Sequence, residues 1–357
     1  MLGKWLRRRR ERRTGFPAAR IDNRDLTALL APVSTQGHPN LNRLRLIANA
    51  IDPLALNIKQ MGYGLARQLA EALPPPTGTV ARKRHLPNSL STQSAMESEW
   101  VAHWCAELGI PVTYHRKLWE LCFVLQALFD ADLIAPGKRG LCFGCGTEPL
   151  PSYLAAHGVS VLATDLPADA SIASGWMESG QHATARERLF MPHLVGREAF
   201  DARVALRSVD MNQLPADLAG FDFCWSICAL EHLGSIANGL AFIEKALDCL
   251  TPGGVAVHTT EFNIDDDGPT VDNWMAVAFQ RAHLEDLAAR LRSQGHDVAP
   301  FDFDLGTGPL DRFVDLPPYH AQLSAPLQQW LGPAAHLKAS MDGMIVTCIG
   351  LVIRKAG

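Results

Sequence analysis

From Leu41 to Leu73 apolar residues recur at intervals of three and four, the spacing of one helical face. Pro53 falls inside this stretch and starts a new helix there, since proline breaks a helix interior but suits its first turn. The run "PPPTGT" (74–79) ends the pattern, and "ARKRHLPNSLSTQS" (81–94) reads as a linker. Helical spacing returns from Met96 to Asp130. Beyond Gly137 the texture changes to short β runs: "GLCFG", "VSVLATD", "VALRSVD", "FDFCWSI" and "GVAVHTTEF". Helical stretches such as "LPSYLAAHG" and "LAFIEKALDCL" lie between them, and this alternation predicts a parallel sheet wound with helices. "HLEDLAARLRSQGHDV" and "MIVTCIGLVIRK" add a helix and a closing strand. The patterns divide the chain into a basic tail, helical unit and linker over 1–95 and an α/β domain over 96–357.

Composition changes this picture little. The 357 residues are 47% hydrophobic and 20% charged, ordinary for a globular protein with a sizeable core. The net charge of −4 makes nucleic acid an unexpected partner. No run approaches the roughly 18 apolar residues of a membrane span. The start, "MLGKWLRRRRERR", is basic with no apolar segment after it, which argues against a secretory signal and for a cytoplasmic protein. The block Arg7 to Arg13 reads as a solvated tail, or as a contact with anionic lipid at a membrane surface. Eight cysteines are present, Cys142 and Cys145 forming a C-x-x-C without a second pair or histidines at ligand spacing. Reduced thiols and no metal are expected.

The chemistry centres on "GLCFGCGTEPL" (140–150). A strand, a glycine turn and a helix bring backbone N–H groups to one strand end, and Gly144 and Gly146 allow a ligand to approach the backbone. Asp165 ends the next strand, 21 residues after Gly144, where an acid can bind ribose hydroxyls. Asp210 and Met211 end the third strand, Cys228 follows the fourth, and "LTPGG" precedes the fifth.

In that order, "FGCGTE", "ATD", "VDMN", "FDFCWSICALEHL" and "LTPGGVAVHTTE" resemble a class I S-adenosylmethionine-dependent methyltransferase over roughly 139–355. The resemblance implies a doubly wound, mostly parallel, seven-stranded Rossmann-like sheet and S-adenosyl-L-methionine as cofactor. The turn Gly144, Cys145, Gly146, Thr147 would cradle its methionine part. Asp165 would hold the ribose, Asp210 the adenine amino group, Met211 the ring, and Cys228 would line the transfer site. Two positions depart from the family pattern. Cys142 stands where an acid is usual, and Glu148 where a third glycine is usual. Glu148 either takes over the missing acid's role or favours the following helix's dipole. The lead-in "TYHRKLWE" (113–120) either reaches the methionine end of the pocket, with Arg116 on the carboxylate, or has Arg116 and Lys117 solvated and Trp119 as core, and the second reading is preferred. A nicotinamide- or nucleotide-sugar-dependent enzyme is the alternative, but Pro149 stands where its third glycine belongs. A non-catalytic S-adenosylmethionine-binding module is the other.

Methyl transfer to a hydroxyl needs alignment and a base. His232 and His258 follow or end strands four and five, and Glu261 stands where strand five meets its loop. These three are the catalytic candidates. "GWMESGQH", with Trp176, Gln181 and His182, and Tyr319 of "VDLPPYH" are candidates for substrate binding. The expected acceptor is a hydroxyl of a small molecule or glycan.

Overall fold

The computed structural model describes residues 41–75, 80–166 and 185–357. Arg7 to Arg13 and Trp176, Gln181 and His182 lie outside the described residues. The chain divides into two compact units, Met1–Ile58 and Lys59–Gly357. The described part of the first is the beginning of helix α1 (Leu41–Ala72), an unbroken helix despite Pro53. No described helix is long and apolar enough to cross a membrane.

In the second unit, α2 (Glu99–Leu108) and α3 (Arg116–Asp130) precede the sheet. There follow β1 (Arg139–Phe143), α4 (Leu150–Ala156), β2 (Ser160–Asp165), α5 (Arg197–Arg203) and β3 (Val204–Ser208). Next come β4 (Phe221–Ile227), α6 (Ile236–Ala246), β5 (Leu250–Asn263) and α7 (Arg281–Ser293). The chain closes with β6 (Asp297–Val298), β7 (Val314–Asp315), α8 (Ala325–Leu331), β8 (Lys338–Met341) and β9 (Met344–Arg354).

Among the described residues nine strands share one sheet, in the order β3-β2-β1-β4-β5-β9-β8-β7, with β6 beside β9. Two of them, β6 and β7, are only two residues long. The seven longer strands match the expected number. Pairing is parallel from β3 to β5, and β9 runs antiparallel between β5 and β8. The order reverses beside β1, which places a crevice at the carboxyl ends of β1 and β4.

The central strands are apolar on both faces because helices cover both. Leu141, Cys142 and Phe143 of β1 and Phe223, Cys224 and Trp225 of β4 are fully buried. On α6, the hydroxyl of Ser235 caps the N–H of Asn238, and Ile236, Phe242, Ile243 and Ala246 form the buried stripe. Helix α3 is capped by His115, whose ring accepts from the Lys117 N–H, and from Leu118 to Leu128 it is buried except at Leu121, which lines the cavity described below. Trp119 is core, as expected.

Candidate functional site

The turn after β1 depends on two glycines. Gly144 and Gly146 have φ of 58° and 55°, a region side chains rarely adopt. A Cβ on Gly144 would lie 2.6 Å from the Cβ of Ala229. The turn is tied to the end of β2, where Cys145 N–H donates to the Thr164 carbonyl at 2.9 Å. Asp165 accepts from Gly146 N–H at 3.1 Å and from Leu166 N–H at 2.9 Å. Asp165 O in turn accepts from Val209 N–H, so three successive strand ends form one rim.

Below this rim is a cavity of about 600 Å3, within the range for cofactor sites. Every cofactor candidate lines it: Gly144, Cys145, Gly146, Thr147, Glu148, Asp165, Asp210, Met211 and Cys228. His232 and Lys117 line it too.

Glu148 turns back over the end of β1. Its Oε1 accepts from the indole N–H of Trp225 at 2.5 Å and from the Cys142 thiol at 3.3 Å. Helix α4 has no side-chain cap, its N-cap being Pro149. An acid therefore sits beside the Cys142 position although position 142 is not itself acidic. Burial pushes the Glu148 carboxyl up to about 7, against the hydrogen bonds from Trp225 and Cys142. Trp225 is cross-strand from Cys142 in the β1–β4 register, which explains how an indole reaches this point.

At the opposite end, Cys228 is held at φ 43°, a costly conformation for a side-chain-bearing residue. Its N–H donates to the Thr259 carbonyl at 3.0 Å, and its sulfur lies 3.3 Å from that of Cys348. A short turn then presents His232. His232 Nδ1 lies 2.8 Å from the Met275 carbonyl. A carbonyl can only accept, so Nδ1 carries the proton and Nε2 is the basic nitrogen of the neutral ring. Burial lowers the His232 pKa. Nε2 is 3.9 Å from Oε1 of the buried Glu231, an oxygen with no hydrogen-bond partner, and burial pushes that carboxyl up to about 6.

Two expectations need correction. His258 is not at the cavity. It is fully buried, its Nδ1 lies 2.8 Å from Ser226 Oγ, and its ring stands edge-on to Phe242 of α6. Burial alone depresses its pKa to about 3. On β5 His258 points towards α6 while Thr259 and Glu261 point towards α3, and no residue of this strand lines the cavity. Arg116 is not solvated either. Its guanidinium forms a two-pronged ion pair with Glu261, Nη1 to Oε2 at 2.6 Å and Nη2 to Oε1, and the side chain is 13% exposed. Burial opposes that charge, but Glu261 and neighbouring groups hold the pKa above its ordinary value. Lys117 is half-exposed, with Nζ 3.8 Å from the buried Glu120, whose carboxylate accepts from Thr259 Oγ1 at 2.6 Å.

Glu261 does not line the cavity, and neither does Arg116, its ion-pair partner. Tyr319 does not line it either: its hydroxyl donates to the Ser340 carbonyl and its ring stands edge-on to His336 at 5.1 Å. Lys117, Glu120 and Trp225 were missed by motif reading.

These residues suit an S-adenosyl nucleoside. The turn bars a side chain where the ligand must approach, an acid stands at each end of the cavity rim, and Glu148 supplies a carboxylate beside the turn. A family model described as a methyltransferase domain matches residues 114–299. The chain belongs to this methyltransferase family and is an S-adenosylmethionine-dependent enzyme. Among solved structures, it resembles a sarcosine dimethylglycine methyltransferase described as putative, from Galdieria sulphuraria. That match has 14% identity, 66% of this chain, 83% of that chain and a TM-score of 0.40. Phosphoethanolamine N-methyltransferase 2 of Haemonchus contortus, solved with S-adenosyl-L-methionine, matches at 16% identity. It covers 65% of this chain and 52% of that one, with a TM-score of 0.39. The methyltransferase domain of a bacterial Hen1 protein matches at 16% identity over 65% and 95% of the two chains, with a TM-score of 0.37. Curated protein sequences contain no match.

Proposed function

We propose that the enzyme, through its domain over 96–357, methylates a hydroxyl of a small molecule or glycan, with His232 taking the proton. The observation that carries this reading is the tautomer of His232: Nδ1–H is committed to the Met275 carbonyl, so the basic Nε2 belongs to a side chain lining the cavity. S-adenosylmethionine, when bound, supplies a methyl group already activated for in-line displacement. Asp165 holds the ribose hydroxyls, Asp210 the adenine amino group, and Met211 packs on the ring. Glu148 receives the cofactor's ammonium in place of an acid at 142. Cys228 and Ala229 wall the side from which the acceptor enters.

A neutral imidazole is ready to accept a proton, and the lowered pKa keeps it neutral across the physiological range. Glu231, 3.9 Å from Nε2, favours the imidazolium that forms after proton transfer.

The test is transfer of labelled methyl from S-adenosylmethionine to panels of hydroxyl and amine acceptors, with His232→Ala in parallel. The expected result is product from a hydroxyl acceptor, lost about a hundredfold in the variant while S-adenosylhomocysteine still raises its melting temperature. Product from amines alone, or full activity in His232→Ala, would refute the assignment.

A further inference from the structure

Around His232 the cavity wall is chemically plain. Leu121 of α3, Ile227 of β4, Cys228 and Ala229 after it, and Leu233 line it. Among the described residues Lys117 is the one lysine or arginine in the lining, and its Nζ lies 3.8 Å from Glu120. Buried cations of the same unit are committed elsewhere: Lys59 Nζ donates to Asp315 Oδ1 at 2.5 Å, and Arg116 is paired with Glu261. A glycan brings a hydroxyl on nearly every carbon, and each one buried without a partner costs free energy. This wall offers hydrocarbon and thiol. It suits a compact apolar acceptor with few polar atoms.

The loop after β5 extends that surface. Its Met275 carbonyl is the group that holds His232 Nδ1. The loop is fixed on both sides of the histidine. Val277 N–H donates to the Glu231 carbonyl at 3.0 Å, and Asp272 Oδ1 accepts from Ile236 N–H at 2.8 Å. Ala278 N–H closes the loop on the Val271 carbonyl at 3.1 Å. Yet Trp274 and Met275 are 57% and 77% exposed. An indole and a thioether held in water beside the site's histidine suit an aromatic ring, the first by stacking and the second by sulfur–ring contact.

The base points the same way. Imidazole ordinarily titrates near about 6.5, a phenol near about 10, and water, the model for an aliphatic hydroxyl, near about 15.7. Proton transfer to imidazole is therefore uphill by roughly 3.5 pKa units from a phenol and roughly 9 from an aliphatic alcohol.

We propose that the acceptor is a small phenol, its ring held between the wall from Cys228 to Leu233 and the loop that carries Trp274 and Met275. This rests on the cavity being a site of hydroxyl methylation, and it narrows hydroxyls at large to aromatic ones. The O–H proton goes to His232 Nε2, the oxygen forms the new bond to the methyl carbon, and the methyl's bond to sulfur breaks with its electron pair left on sulfur.

The test uses the full chain and acceptors in matched pairs: phenol with cyclohexanol, catechol with cis-1,2-cyclohexanediol, aniline with cyclohexylamine. A 4-hydroxyphenyl glucoside carries both kinds of hydroxyl on one molecule. Binding to the S-adenosylhomocysteine-loaded protein is read by NMR saturation transfer, and methylation with labelled S-adenosylmethionine. Phenol and catechol should bind about five- to tenfold more tightly than their saturated partners, and the glucoside should be methylated on its phenolic oxygen. Trp274→Ala should raise the KM for catechol by a similar factor, with kcat little changed and the melting stabilisation by S-adenosylhomocysteine intact. Saturated or sugar hydroxyls methylated in preference, no aromatic advantage in binding, or an unchanged KM in Trp274→Ala would overturn the proposal. The assignment of His232 fails separately: catechol methylated at full rate by His232→Ala removes that base and leaves the ring site standing. Transfer to the amines alone overturns both.

Discussion

The two halves of the cavity are built in different ways. The cofactor half is backbone: two left-handed glycines, N–H groups on Asp165, and three strand ends tied by main-chain bonds. Around Cys228 and His232 the cavity is lined by side chains, with Lys117 near Glu120 and Glu231 beside His232, and the Arg116–Glu261 ion pair lies outside the lining. Backbone geometry tolerates little variation in what it binds. A network of buried charges can be rewired by a few substitutions.

Perturbations should separate the halves. The largest effect on stability is expected from Arg116→Leu, which leaves Glu261 buried without its cation and costs about 3–5 kcal/mol; urea unfolding measures it. If the change proves neutral, the charge network contributes little. On the cofactor side, Gly144→Ala should weaken S-adenosylhomocysteine binding by at least about tenfold through left-handed strand-end strain and the 2.6 Å clash with Ala229. Calorimetry reads this directly, and an unchanged affinity would mean the turn relaxes. Asp165→Ala should lose about 1–3 kcal/mol of the same affinity with little change in folding; a loss of stability in place of affinity would make Asp165 a tie between strands.

The smallest expected effect concerns Glu148. Its folded pKa, about 7, lies above the ordinary 4.5. The ligand-free protein keeps the full contribution of this group below pH 4.5 and loses it as pH rises through 7. Glu148→Gln should remove that loss, raising stability at pH 8 relative to pH 5 by about 1 kcal/mol at a partly exposed site. Melting temperatures across pH test it, and a parallel shift at both pH values would contradict it.

The same division governs what could be read from sequence. The turn, Asp165 and the pair Asp210–Met211 are local signals, each within a few residues of a strand end, and all line the cavity. The charged half joins residues far apart: Arg116 and Glu261 are 145 positions apart, Glu120 and Thr259 139. No spacing rule connects them. The direction of His258 is a matter of strand parity that sequence leaves open when both faces of a strand are buried, and neither face of β5 lines the cavity. For Glu148 two roles stand side by side in the sequence; the β1–β4 register, which sequence does not show, brings Trp225 beside Cys142, and both donate to its carboxyl.

The clamp of Lys59 on Asp315 also bears on how the chain is made. Its partners are 256 residues apart, and Asn88 and Ser91 likewise bond to Val352 and Thr347. At ribosomal rates of about 5–20 residues per second, helix α1 waits roughly ten to fifty seconds for its carboxylate to emerge. Throughout that interval Lys59 is without the carboxylate that holds it in the folded chain.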